Sequence, residues 1–359
     1  MSIKKDNLTH YANLAFEQAK INLGSTNKNP SVGCVVEKNG AILSSGHTSL
    51  YGRPHAEYNA LNRKINFEGS NMFVSLEPCS HYGKTPPCTN LIIKKKIKKV
   101  YFSINDSDKR SSNKAKSILK KNNIKTSNNL LTEFAKFFYK NYLDRYKNSL
   151  PLIDAKIALS NDYYSISKKK KWITNKHSRR RVHFLRSTYD AIISTSKTIN
   201  EDNSRLNCRI EGLEKKSPVV VIIDKYLTLK KNLNIFKSSK KIYMITASKN
   251  RVKQAYFKKK NVTIIYNQMH NNNDYLSIFS ILKEKGFSRI LIESGLTFLN
   301  FLISETLLNN VYIFLSKEKL LNNGSNNSKN DLIKKLKLNN RLKVNLFNDK
   351  LYKVKLKDV

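Results

Sequence analysis

Along the first part of the chain, apolar positions follow two periods. Over residues 8–22, Leu8, Tyr11, Ala12, Ala15 and Ala19 fall on one face of a helix. Residues 31–37 and 41–45 read as strands flanking Asn39-Gly40, a dipeptide suited to a tight hairpin turn. Further strands are predicted at 71–76, 100–104 and 125–127, with helices at 55–64, 88–96, 111–121 and 130–145. Helices interleaved with strands in this order predict a three-layer α/β/α sandwich around one mixed sheet. Residues 147–151 are polar and end in a proline, which places a domain boundary there and divides the chain into 1–148 and 149–359.

Beyond the boundary the pattern changes to unbroken Val/Ile runs. Strands are predicted at 152–159, 191–194, 218–224, 241–246, 262–266 and 289–293, interleaved with helices such as 175–187 and 274–285. Continuous apolar strands of this kind are buried on both faces, so the second half predicts a largely parallel sheet covered by helices. Residues 321–331 read as a polar, low-complexity loop, and 342–356 alternate around Asn348-Asp349 as a closing hairpin would.

A length of 359 residues suits two ordinary domains, and 40% hydrophobic residues suffice for two packed cores. Four cysteines form no disulfide framework, which fits a reducing compartment. The opening Met-Ser-Ile-Lys-Lys-Asp has no apolar run like a signal peptide, and no stretch approaches membrane-spanning length. A soluble, cytoplasmic protein with no membrane partner is expected. A net charge of +41 attracts phosphates without regard to sequence. The lysines, however, are spread along the whole chain among Asn and Ile, the pattern AT-rich codons produce, rather than gathered on one face. A nucleic-acid partner is therefore not expected.

The candidate chemistry centres on Pro54-His55-Ala56-Glu57 and on Glu77-Pro78-Cys79 through Pro87-Cys88. Alone, His-x-Glu or Pro-Cys is weak, because a lone His more often lies satisfied in a surface or core. Together, His55, Cys79 and Cys88 can fill three tetrahedral positions of a catalytic zinc and leave the fourth for water. Zinc brings the pKa of such a water towards neutrality, and Glu57, a carboxylate that is not a ligand, is placed to move protons. This is the chemistry of hydrolytic deamination of an amino-substituted ring. Cys88 opens a predicted helix, where the dipole favours a thiolate. Eight residues separate Cys79 from Cys88, in place of the commoner two, and they carry His81 and Lys84.

No Gly-x-Gly-x-x-Gly occurs, which argues against a Rossmann dinucleotide fold without excluding NADPH. In the segment Ile290-Leu291-Ile292-Glu293-Ser294-Gly295, a strand turns into a helix at a glycine, a place where backbone N–H groups can meet a phosphate. Such a glycine is more often plain turn chemistry.

The segment from Glu77 to Cys88 closely resembles the riboflavin-biosynthesis deaminase, the N-terminal half of a bifunctional deaminase–reductase family. The resemblance extends to Asn29-Pro30-Ser31-Val32-Gly33-Cys34-Val35, and in the second half to Lys156–Ser160, Trp172-Ile173-Thr174 and Glu293-Ser294-Gly295. It implies a cytidine-deaminase-like domain followed by a dihydrofolate-reductase-like α/β domain, one zinc ion, NADPH and a phosphorylated pyrimidine substrate. The activity implied is deamination of 2,5-diamino-6-(5-phosphoribosylamino)pyrimidin-4-one, then reduction of its ribosyl group to ribityl. By the same resemblance Asn29, His47, His81 and Lys84 would hold the substrate of the deaminase. Lys156, Lys170, Arg186, Leu206, Arg209 and Glu293 would meet the substrate of the reductase. Ala158, Trp172, Thr198, Asp202, Lys225 and Gly295 would line NADPH. A homo-oligomer, assembled through the reductase half, is also implied.

The second half departs from the family pattern at Ser160-Asn161-Asp162-Tyr163, where Tyr163 stands for a turn glycine, at Asp202-Asn203-Ser204, and in the lysine run 168–171. In the first half a histidine expected near substrate falls at Thr48, next to His47. Two other readings fit parts of the pattern. One is a deaminase whose reductase half has decayed to a scaffold, and the other is a deaminase of tRNA or other nucleic acid.

Overall fold

Asn39 (φ +53°) and Gly40 (φ +88°) both adopt left-handed backbone, the geometry of a tight hairpin turn, and join β1 (Gly33–Lys38) to β2 (Ala41–His47). The structure, a computed structural model, describes residues 5–143, 150–239, 241–329 and 336–356. Its contacts divide the chain into two units, Met1–Asn148 and Ser149–Val359. Residues 147–149 of the boundary expected over 147–151, the last two residues of the helix expected over 130–145, and residues 330–331 of the polar loop lie outside the described residues.

In the first unit, α1 (Lys5–Lys20) precedes the hairpin and α2 (Ala56–Leu61) follows it. Then come β3 (Asn71–Val74), α3 (Cys88–Lys94), β4 (Lys99–Phe102), α4 (Ala115–Lys121), β5 (Lys125–Ser127) and α5 (Thr132–Leu143). The sheet order is β2-β1-β3-β4-β5, with β1 antiparallel to both neighbours and β3, β4 and β5 parallel. Alternate residues enter two cores. Cys34, Val36, Met72, Val74, Val100 and Phe102 pack with Ala60, Ile92 and Leu119 of the helices. Val35, Phe73 and Tyr101 face the other way, against Tyr11 and Ala15 of α1, with the Phe73 and Tyr101 rings stacked at 4.6 Å. This is the mixed-sheet α/β/α sandwich.

Two glycines let helices lie directly on strands. A Cβ at Gly33 would overlap Ala15 O of α1, and one at Gly46 would overlap Ala56 O of α2. Only a residue without a side chain permits either approach.

The second unit contains β6 (Leu152–Leu159), β7 (Tyr164–Ser167), α6 (Lys176–Arg186), β8 (Ala191–Thr195), α7 (Ser196–Asp202), β9 (Val219–Ile223), α8 (Ile235–Ser238) and β10 (Ile242–Thr246). It continues with α9 (Arg251–Lys259), β11 (Val262–Tyr266), α10 (Asn272–Glu284), β12 (Arg289–Ile292), α11 (Leu296–Ser304), β13 (Asn310–Leu315), β14 (Gly324–Asn327) and β15 (Lys350–Lys355). Eight strands run in the order β11-β10-β9-β8-β12-β6-β13-β15, all parallel to their neighbours except β15. Ile193, Val221, Ile245 and Ile292 pack on α10 and α11, whereas Ile192, Val220, Met244 and Leu291 pack on the opposite face with Ile199 and Phe257. Burial on both faces explains the unbroken apolar runs.

Three expectations are corrected. The hairpin expected over 342–356 is only half formed: β15 pairs with β13, and the preceding segment is held by Leu342 N–H to Leu351 O and a single bridge, Arg341 to Tyr352. The polar loop at 321–331 contains β14, which pairs with β7. The helix expected over 55–64 is shorter, spanning Ala56–Leu61. In the first two cases a strand distant in sequence supplies the backbone partner, and local pattern does not carry that information.

Candidate active sites

In the first unit His55 stands at the N-cap of α2 in extended backbone and Glu57 lies in the helix's first turn. Cys88 is the first residue of α3, and its N–H donates to Cys79 Sγ at 3.2 Å. His55 Nδ1 lies 3.5 Å from Cys79 Sγ and 3.5 Å from Cys88 Sγ, and the three donor atoms fall within 4.8 Å of one another. Ligands about 2.0–2.3 Å from a shared tetrahedral centre stand apart by a similar distance, so the donor set fits zinc in type and spacing. The Cys79 thiol is held well below its ordinary range, first by the hydrogen bond from Cys88 and then by His55. Glu57 is buried against the Cys88 thiol, and that burial pushes its carboxyl up to about 7.

The other predicted residues divide. Asn29 Nδ2 donates to Gly52 O at 2.8 Å, tying its loop to the one that leads into His55. His81 lies in the Cys79–Cys88 insert with Nδ1 2.5 Å from Ser111 Oγ, and Lys84 is exposed on the same insert. His47 is placed elsewhere, lining a polar cavity of about 460 Å³ with Gln18, Asn59, Asn62 and Arg63. Thr48, where a histidine was expected, is buried and bonded to the Val32 backbone.

Three residues of the first unit escaped the sequence reading. Glu77 accepts N–H bonds from Asp106, Asn113 and Ala115, fixing the loop that carries Ser111. Ser111 in turn holds Ser80 N–H and His81. Arg53 Nη1 donates to Thr85 Oγ1 at 2.5 Å, reaching from the approach to His55 across to the insert. Glu77 stands in the Glu-Pro-Cys motif and could have been singled out there. Ser111 and Arg53 meet partners about 30 residues away and leave no local signal.

In the second unit Glu293, at the end of β12, accepts two bonds from Arg186, 2.7 Å from Nε and 2.9 Å from Nη2. Lys156 Nζ stands 3.6 Å from the same carboxylate. Burial alone would raise the Glu293 carboxyl, but Arg186 and Lys156 overcome it and hold it at about 2. Burial lowers Lys156, against the pull of Glu293. Asn207 O accepts from Arg186 Nη1 at 3.0 Å, and Arg209 Nη1 donates to Asn207 Oδ1. His183, also bonded to Asn207 O, was not anticipated, and burial beside Arg186 and Arg209 lowers it to about 4. Leu206 has its side chain in the core and a φ of +51°, so only its backbone is available to a ligand. Lys170 Nζ pairs with Glu318 at 2.7 Å on the surface.

Around the Gly295 turn, Gly295 N–H donates to Thr198 Oγ1 at 3.2 Å, and a Cβ on Gly295 would meet only that oxygen. Ser194 Oγ and Ser294 Oγ, at the neighbouring ends of β8 and β12, are buried without a partner among the described residues. An open glycine turn beside two unsatisfied hydroxyls fits a phosphate-bearing cofactor. Ala158 and Lys225 are half-buried, Asp202 is exposed at the end of α7, and Trp172 is 54% exposed between Lys171 and Arg179. Tyr163 adopts the left-handed backbone (φ +67°) that a glycine would take more easily. The turn survives because Ser328 N–H and Oγ both bond Tyr163 O and Asp162 anchors the N–H groups of Leu320 and Leu321.

A histidine, two cysteines and a buried carboxylate on a mixed sheet, followed by a parallel-sheet unit with an open glycine turn, are the features to compare with known two-domain deaminase–reductases. Residues 5–104 match the cytidine and deoxycytidylate deaminase zinc-binding region, and residues 153–316 match the RibD C-terminal domain. Riboflavin biosynthesis protein RibD of Bacillus amyloliquefaciens is 32% identical over 80% of this chain and 78% of its own length. Among solved structures, Acinetobacter baumannii RibD superposes with a TM-score of 0.83 at 24% identity, covering 98% of this chain and 99% of that one. A Thermotoga maritima structure described as a diaminohydroxyphosphoribosylaminopyrimidine deaminase/5-amino-6-(5-phosphoribosylamino)uracil reductase gives 0.77 at 26% identity, over 98% and 99%. The chain belongs to the RibD family, the bifunctional deaminase–reductases of riboflavin biosynthesis. With both halves matched, neither a tRNA deaminase nor a decayed scaffold is favoured. No helix among the described residues is long and apolar enough to cross a membrane.

Proposed function

We propose that the first unit replaces the 2-amino group of 2,5-diamino-6-(5-phosphoribosylamino)pyrimidin-4-one by oxygen, and that the second reduces the ribosyl group of the product to ribityl. The observation that carries the first step is the convergence of His55, Cys79 and Cys88 beside buried Glu57. A zinc ion held by these three donors would supply Lewis acidity with one coordination position open. Glu57 takes a proton from the attacking water and returns it to the departing amino group, so ammonia leaves neutral. Asn29, His81 and Lys84 hold the substrate. His47 belongs to this set by resemblance alone, since it faces a different cavity.

In the second unit bound NADPH would supply the hydride, because no protein side chain can. Ala158, Trp172, Thr198, Asp202, Lys225 and the Gly295 turn line it. Lys156, Arg186, Arg209, Glu293 and the Leu206 backbone bind the ribose-phosphate end, with Lys170 at the rim. Glu293 pairs with Arg186 and Lys156 and fixes both while the cleft is desolvated. A cytoplasmic homo-oligomer belongs to the same proposal, supported by family membership.

The test is a mass analysis of product after zinc-loaded protein meets the diaminopyrimidine and NADPH. A deaminated, ribityl-bearing product supports both steps. A deaminated product that retains ribose overturns the reductase assignment, and unchanged substrate overturns the deaminase assignment.

A further inference from the structure

Arg53 immediately precedes the Pro54-His55 pair, and its side chain reaches the insert between Cys79 and Cys88, where Nη1 binds Thr85 Oγ1. The exposed residue Gly83 lies beneath it. A Cβ placed there would stand 3.6 Å from Arg53 Nη2 and 3.7 Å from His81 Nε2, so a guanidinium and an imidazole nitrogen border one space. The His81 ring cannot swing freely, because Nδ1 is bound to Ser111 Oγ and Ser111 is itself fully buried. Its Nε2 is therefore held on the Gly83 side. Among the described residues no carboxylate pairs with Arg53 or with neighbouring Lys84. Arg53 stands two residues before His55 in the chain, which places this cationic space beside the proposed metal ligands.

An Arg fork and an imidazole nitrogen around a side-chain-free residue, without a counter-charge, suit the oxygens of a phosphate. We propose that Arg53 is a substrate-binding residue of the deaminase, and that it grips the substrate's phosphate together with His81 across the bare face of Gly83. The proposal rests on the deaminase reading above and adds to it a residue that sets the preference for a phosphorylated substrate. The Thr85 bond pre-orients the guanidinium and leaves Nη2 for the ligand.

The experiment compares deamination of the phosphorylated substrate with that of its phosphate-free analogue, in wild type, Arg53→Gln, Arg53→Lys and Gly83→Ala, with zinc content measured for each. Arg53→Gln is expected to raise KM for the phosphorylated substrate roughly 10- to 100-fold, the worth of a charge-assisted hydrogen bond, and to leave KM for the analogue unchanged. Its kcat stays within about twofold, since the contact is the same in ground and transition states. Arg53→Lys recovers part of the preference. Gly83→Ala keeps both donors but fills the space between them, and it raises KM for the phosphorylated substrate alone. If Arg53→Gln loses zinc through misfolding, the Lys and Ala variants decide.

An unchanged preference in these variants overturns the proposal, and so does an equal loss on both substrates, which would make Arg53 a mere latch for the insert. Either result leaves the deaminase reading standing. Wild-type protein that deaminates neither compound overturns that reading and this inference with it.

Discussion

Exchanging one carboxyl oxygen of Glu57 for nitrogen removes the proton carrier while preserving its volume and burial. Glu57→Gln is expected to slow deamination about 10²- to 10⁴-fold and to leave zinc content unchanged, as metal analysis beside a rate assay would show. Glu293 makes a different prediction. Its folded pKa of about 2 lies below its ordinary value of 4.5, so its contribution is complete above the unfolded pKa and is lost as pH falls from about 4.5 towards 2. That contribution is on the order of 3 kcal/mol. The gap in melting temperature between wild type and Glu293→Gln should therefore be wide near neutrality and close through that acid window; a constant gap would contradict it. At this scale the sequence singled out the residues that converge in the first unit, because His55, Glu57, Cys79 and Cys88 lie in two short motifs. It hid Arg53, Ser111 and the ring position of His81, which depend on contacts made across the fold.

Helix α2 has His55 as its N-cap and Glu57 in its first turn, and it lies on β2 through Gly46. Gly46→Ala would force the strand and helix apart, at a cost of about 2–3 kcal/mol. It touches no reacting group, so the expected result is lower zinc occupancy and lower deamination together, both improved by excess zinc. A variant with full zinc and full rate would show that the approach is not needed. The elements themselves were unevenly legible. The hairpin at Asn39-Gly40 and the Val/Ile strands follow from local period and turn chemistry. Strand β13 was missed because Asn310–Leu315 closes a long apolar stretch that begins in α11, where period does not separate helix from strand. Residues 342–346 alternate as a strand would, but β15 takes β13 as its partner instead.

Each unit has its own sheet and its own apolar cores, and each proposed chemistry is assembled within one unit. Cys88→Ser is expected to abolish zinc binding and deamination. Reduction of an already deaminated intermediate should stay within about twofold of wild type, as expected of independently assembled sites. A joint loss of both activities would show that the halves depend on each other. The division also has a genetic consequence. Two defective copies of the gene, one altered at Glu57 and the other at Glu293, break different halves of the protein. A riboflavin auxotroph that carries both is expected to grow without the vitamin, because the intermediate released by one gene product can be completed by the other.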